Sequence, residues 1–204
     1  MDMAIGYELV AILFCVAILA GFIDAIAGGG GLLTLPVLLA VGLPPAQALA
    51  TNKLQSCGGS FSASLYFVQK RAVSLKEQRL SILLTFLGAS AGTLLILFLQ
   101  ADFLRLLLPV LTICVGLYFL LTPTLGEKDK HRRLSETHFA IFCAMLIGFY
   151  DGFFGPGAGS FYALAYVTIA GFNLAKATAH AKVLNFTSNL AALLFFIVGG
   201  KVLW

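Results

Sequence analysis

Apolar residues run along this chain in blocks of about 20 residues separated by short polar clusters, the pattern of helices that cross a bilayer. Six blocks have that length: 7–27, 46–68, 80–99, 103–121, 137–154 and 174–198. Two apolar pieces of about half the length, 32–41 and 160–170, fit half-helices that re-enter the bilayer without crossing it. The pattern predicts an all-α, polytopic membrane protein with six full spans and two re-entrant segments.

Each half-length piece follows a glycine-rich break, and the two breaks repeat one another. GFIDAIAGGGGLLTL begins at Gly21 and GFYDGFFGPGAGSFY at Gly148, which aligns Asp24 with Asp151, Gly28 with Gly155 and Gly30 with Gly157. After a two-residue insertion the register resumes, and Gly42 meets Gly171, Ala46 meets Ala175 and Lys53 meets Lys182. Shared small residues can reflect helix packing alone, but matched aspartates and lysines in apolar surroundings mark a duplicated site. With four spans counted between Asp24 and Asp151, the repeat is expected to be parallel. It divides the chain into a first repeat (1–121), a basic linker (122–136) and a second repeat (137–204). Repeat arithmetic calls for two more helices, roughly 45 to 50 residues, after Lys201 to complete an eight-helix fold.

Away from the loops, the formally charged residues at membrane depth are Asp24, Asp151, Lys53 and Lys182. Buried charges of this kind line pathways or pair with one another. A helix that restarts after a glycine break offers unpaired N–H groups and the positive end of its dipole, so the expected ligand is an anion. Lys53 and Lys182 supply positive charge, while Asn52, Asn185, Gly29, Gly30, Gly157 and Ser160 supply hydrogen-bond donors or close backbone approach. Asp24 and Asp151 either carry coupled protons or act as caps and ion-pair partners, and His180 is a candidate for proton relay or a packed, hydrogen-bonded residue. Thr51, Gln55, Ser56, Ser60, Ser188 and Asn189 extend the polar lining.

Composition agrees with the pattern: 60% of the 204 residues are hydrophobic, 11% are charged, and mean hydropathy is +0.97. The opening segment, MDMAIGYE, carries Asp2 and Glu8 but no Lys or Arg, unlike the start of a secretory signal. Lys70, Arg71, Lys76 and Arg79 flank one loop, and Lys128, Lys130, Arg132 and Arg133 another. The positive-inside rule makes that face cytoplasmic. Counting spans then puts Arg105 and Lys176 on the other face, and Lys201 and both termini on the cytoplasmic one. The four cysteines, Cys15, Cys57, Cys114 and Cys143, have no CxxC spacing and no histidines clustered beside them, so they read as free packing residues. GGGGLL and GPGAGS lack the Lys-Ser/Thr of a phosphate loop, and Ser160 has no convincing base except the distant His180, so neither nucleotide binding nor hydrolysis is expected. No cofactor or metal is expected. The partners are a small anionic solute and membrane lipid, not nucleic acid, and a homo-oligomer is compatible with the sequence.

The run GFIDAIAGGGGLLTLPVLLAVGLPPAQALATNKLQS, with GFYDGFFGPGAGSF and AKATAHAKVLNFTSN, resembles the TauE/SafE sulfite-exporter family, also called toluene-sulfonate uptake permeases, and within it the YfcA-type branch. The resemblance covers essentially the whole chain. It implies two related halves in the bacterial inner membrane, eight helices in all, and permeation of sulfite, sulfonates or related organosulfur anions. It also places the family motif on Asp24, residues 28–31, Asn52 and Lys53, and on Asp151, Gly155, Pro156, Gly157, Lys182 and Asn185.

Overall fold

The computed structural model describes residues 6–121 and 131–203, so Lys128 and Lys130 of the basic linker and Asp2 lie outside the described residues. All regular structure among the described residues is helical. The first half comprises α1 (Tyr7–Ile26), α2 (Gly31–Ala40), α3 (Pro45–Gln69), α4 (Leu75–Phe98) and α5 (Ala101–Leu121). The second comprises α6 (Glu136–Phe139), a π turn (Ala140–Ala144), α7 (Met145–Phe153), α8 (Ala158–Thr168) and α9 (Leu174–Val198).

Local chemistry explains the boundaries. Ser74, Ser135 and Asn173 each turn a side-chain oxygen onto a backbone N–H of the helix they precede, opening α4, α6 and α9. Pro44 and Pro45 open α3, where proline's fixed φ fits the first helical turn. The matched glycines Gly28 and Gly155 (φ 84° and 103°) end α1 and α7, and Gly42 and Gly171 (φ 88° and 77°) end the half-helices α2 and α8. Left-handed backbone of this kind favours glycine, so the repeat is conformational as well as literal.

Four helices are long and apolar enough to cross a membrane: α1, α4, residues 101–118 of α5, and α9. The other two expected spans differ for physical reasons. α3 carries a file of buried polar residues, including Asn52, Lys53, Ser56, Ser60 and Ser64, and 137–154 is interrupted by the π turn. The half-helices begin and end within two residues of their expected bounds.

Contacts between helices fix their directions. Gly30 packs against Ala20 and Asp24, so α2 folds back along α1. α8 folds back along α6 and α7, with Tyr166 against Phe139 and the Arg133 N–H bonded to the Ile169 carbonyl. α9 runs antiparallel to α3, Ser64 bonding to the Lys182 carbonyl and Lys53 to Asn189. The α1–α2 hairpin therefore enters from the end where α3 starts, and the α6–α8 hairpin from the end where α3 finishes.

The repeat is thus inverted in direction, not parallel as expected. Parity counting treats 7–27 and 137–154 as crossings, whereas each forms a hairpin with its half-helix and returns to its own end. Lys176 and His180 consequently share a cavity with Lys76, Arg79 and Arg132 instead of lying opposite them. The described chain ends, at Gly6 and Leu203, lie at the end away from the basic loops.

α4 and α7 make the closest helix pairing. They run side by side in the same direction, with Gly88 and Gly92 facing Gly148 and Gly152. A methyl group at Gly148 would lie 2.6 Å from the Thr85 carbonyl oxygen, and methyls at Gly88, Gly92 and Gly152 would strike the backbones of Met145, Phe149 and Ala89. Thr85 and Thr93 add hydrogen bonds across the seam to the Ala144 and Gly152 carbonyls, 3.2 and 3.0 Å. Two small-xxx-small motifs let the backbones meet, which is how membrane helices associate without a hydrophobic driving force.

Candidate functional site

The two glycine breaks touch at the centre of the molecule. A methyl at Gly28 would lie 2.6 Å from Gly159 Cα, one at Gly159 2.8 Å from the Gly28 carbonyl oxygen, and Ser160 Oγ donates to the Ala27 carbonyl at 3.1 Å. Only glycine permits this approach of one backbone to another. Gly31 lies against Asn52 and Pro156 Cα, while Gly159 lies against the Asn185 amide. Each half's asparagine therefore sits beside its own half's break, and the Gly31–Pro156 contact joins the two breaks.

The lysines, unlike the asparagines, cross between the halves. Lys53, from the first half, donates to Asp151 Oδ1 of the second at 2.5 Å and to Asn189 Oδ1 at 3.1 Å. Lys182, from the second half, donates to the Asp24 carbonyl oxygen of the first at 2.5 Å. All four are almost fully buried: Lys53 and Asp151 at 1% exposure, Lys182 at 2% and Asp24 at 3%.

The crossing is not chemically symmetric. Asp151 is an ion-pair partner, with one oxygen on Lys53 and the other accepting from Ser188 Oγ. Gly155 is pressed against that pair, since a methyl there would lie 2.7 Å from Lys53 Nζ and 3.2 Å from Asp151 Oδ1. The Asp24 carboxylate is occupied elsewhere. It accepts from the Gly30 N–H at the start of α2 (2.8 Å) and from Ser56 Oγ (2.9 Å), so it caps the half-helix. Lys182 is left with one hydrogen-bond acceptor among the described residues, a neutral carbonyl, for an ammonium that has three donors. Thr51 Oγ1, Asn52 Oδ1 and Tyr162 Oη are also buried without a hydrogen-bond partner among the described residues. Buried polar groups are nearly always satisfied, so unmet capacity of this kind marks these residues out.

Not every expected residue is gathered here. His180 lies about the end cavity with Tyr166 and Phe172, its Nδ1 against the Lys176 carbonyl. Gly30 has its N–H taken by Asp24, and Ser160 bridges the two breaks. Gly157, at φ 82°, lets the chain turn into α8, and the half-buried Gly29 has only the Leu32 side chain near it. Sequence reasoning missed Tyr162, whose 0% exposure and unpartnered hydroxyl carry no sequence signal. It also missed the α4–α7 seam, although the four-residue spacing of Gly88 with Gly92 and of Gly148 with Gly152 is a visible signal.

Comparison with known proteins supplies the family. The model of the sulfite exporter TauE/SafE family matches residues 13–204. The chain is 63% identical over 196 residues to the probable membrane transporter protein YfcA of Escherichia coli K12, covering 96% of this chain and 73% of that one. It is 56% identical over 202 residues to a probable membrane transporter protein of Haemophilus influenzae (99% and 79% covered). It is 49% identical over 200 residues to probable membrane transporter protein ORF9 of a Sinorhizobium species (98% and 77%). No solved structure matches the chain. A family match across nearly the whole chain, and relatives this similar over most of their length, make it a membrane transporter of the TauE/SafE family.

Proposed function

We propose that this transporter moves small oxyanions of sulfur, sulfite or a sulfonate, through the crossing of the two glycine breaks, and that Lys182 is the residue that holds the anion. The observation that carries the reading is the buried Lys182 ammonium, whose single hydrogen-bond acceptor among the described residues is a neutral carbonyl. A desolvated cation so poorly satisfied gains more from an incoming anion than one already paired, as Lys53 is. Asn52, Asn185, Gly29 and the N-terminus of α8 at Gly157 would add donors to that anion. Lys53 and Asp151 join the halves, and exchange of that pair is the step at which a proton or the second half-site enters. The anion's sulfur chemistry follows the family's description.

The basic loops and Lys176 lie at the cytoplasmic end by the positive-inside rule, in a bacterial inner membrane, which puts the described chain ends on the outer side. That assignment revises the expectation that both termini face inward.

Sulfite, taurine, sulfoacetate and acetate added to detergent-solubilised protein distinguish the outcomes. At about 100 times its Kd, a ligand that binds only the folded state stabilises it by about 2.7 kcal/mol. That rise in melting temperature is expected with a sulfur oxyanion, retained in Lys70→Gln, and abolished in Lys182→Gln. A second reading, a membrane scaffold with internally paired charges, has the Lys53–Asp151 pair in its favour. It requires that no anion shift the melting of wild-type protein and that Lys182→Gln alter only assembly.

A further inference from the structure

At the end of the molecule that carries the basic loops lies a cavity of about 720 Å³, walled by the first turns of α4 and α9, the start of α6 and the C-terminal part of α8. Its cations are Lys76, Arg79, Arg132 and Lys176, against the carboxylates of Glu77 and Glu136. Arg132 pairs with Glu136 at 3.0 Å, whereas Lys76, Arg79 and Lys176 form no ion pair among the described residues. Lys176 lies over the Phe172 ring, 4.0 Å from its centre. Two long helices, α4 and α9, also turn their N-terminal dipole ends toward this space.

The floor of the cavity is a hydrogen-bonded plug. Gln78 Nε2 donates to Tyr166 Oη at 2.7 Å and to the His180 carbonyl at 2.9 Å, which fixes the amide's orientation. Gln78 Oε1, facing the other way, is buried and has no partner among the described residues. Tyr166 stacks on Phe172, with ring centres 5.5 Å apart and planes 13° apart, and His180 packs against both. Lys182 is on the same helix as Lys176, six residues on and about 9 Å deeper along the axis at the α-helical rise. Of these cations at two depths on α9, the outer one lies in an open cavity and the inner one is sealed at 2% exposure.

We infer that this cavity is a loading site for a small oxyanion at the basic end, where Lys76, Arg79 and Lys176 concentrate it before the Gln78–Tyr166–His180 plug opens toward Lys182. The inference rests on the anion-permease reading and adds to it a second site, a gate and a side of entry. Gln78 is suited to gating because both its bonds run to α8 and α9, and its unpartnered carbonyl offers a replacement bond to any donor that arrives with the anion.

Sulfite flux into proteoliposomes of known orientation tests it, using the full chain and variants Lys76→Gln/Arg79→Gln and Lys176→Gln. Electrostatic focusing in a charged cleft raises local substrate concentration by about 10-fold or more. KM for entry from the basic end is expected to rise roughly tenfold in Lys76→Gln/Arg79→Gln, with kcat and entry from the opposite end unchanged, and the wild-type KM is expected to rise with ionic strength from that end alone. Gln78→Leu is expected to alter kcat from the basic end while leaving anion-dependent stabilisation by the inner site intact. Equal KM changes from both ends, or none in the charge variants while wild-type protein binds and transports sulfite, would overturn the loading site and leave the central site standing. Absence of sulfite binding and flux in wild-type protein would instead overturn the permease reading and the loading site with it. Capture of vesicle phosphate headgroups, seen as flux that depends on anionic lipid and not on the charge variants, would also count against it.

Discussion

Gly152→Leu abolishes the folded transporter, whereas Gly58→Leu leaves it intact. The two glycines lie on different helices in the same apolar fold, and only one has a neighbour within reach. A methyl at Gly152 would lie 2.6 Å from the Ala89 carbonyl carbon and 2.7 Å from its Cα, besides striking its oxygen; at Gly58 nothing lies within 4 Å. Since the obstacle is backbone, no rotamer change relieves it, and α4 and α7 must part. Their separation would also break the bond from Thr93 Oγ1 to the Gly152 carbonyl and open the seam at Gly148 and Gly92. Overpacking a filled core commonly costs about 1–3 kcal/mol, and here the insertion is a whole side chain at a closed backbone crossing. Size-exclusion chromatography after detergent extraction should show wild-type monodispersity for Gly58→Leu and aggregate for Gly152→Leu, with Gly152→Ala between them. Monodisperse, transport-competent Gly152→Leu protein would contradict the close approach of α4 and α7.

That seam shows where the sequence is legible and where it is not. The half-helices can be placed to within two residues because each is bounded by glycines whose positive φ leaves a direct mark on residue choice. The charged residues of the centre are equally plain, since an aspartate or lysine in an apolar run has few explanations. The direction of the hairpins is not legible. Whether 7–27 crosses or turns back depends on how the chain continues after Gly28, and an apolar helix of 20 residues serves either purpose. The same ambiguity at 137–154 reverses the expected direction of α9, and so parity counting sets Lys176 opposite Lys76. Long-range contacts such as that from Gln78 to the His180 carbonyl remove the error. The partners of the lysines are hidden for a similar reason, being 98 residues away for Lys53 and 158 for Lys182. Matching repeats suggest equal roles for matched residues, but a pair formed by one carboxylate and a cap formed by the other cannot be read from an alignment.

The inequality of the two lysines leads to the second large effect, at Asp151. Both partners of the Lys53–Asp151 pair are 1% exposed, so removing one leaves a charge in a low-dielectric interior with no counter-ion. Breaking a buried pair from one side costs about 3–5 kcal/mol, whereas replacing both partners by well-packed apolar residues is often neutral. Asp151→Ala and Lys53→Ala should therefore each lower the melting temperature sharply. Lys53→Met/Asp151→Leu should recover most of the loss, less the modest cost of Ser188 and Asn189, which lose the acceptor and donor they had in the pair. At Lys182 the order of effects is reversed. Its hydrogen-bond partner is a neutral carbonyl, and the nearby Asp24 carboxylate keeps its bonds from Gly30 and Ser56, so Lys182→Met removes an incompletely satisfied buried cation and should cost far less than Lys53→Ala while anion binding is lost. Thermal melting of the four variants, with and without sulfite, separates the roles: Lys53 and Asp151 move the baseline, and Lys182 removes the ligand's increment. Equal destabilisation by Lys53→Ala and Lys182→Met would instead make both lysines structural, and the site would then lie elsewhere in the fold.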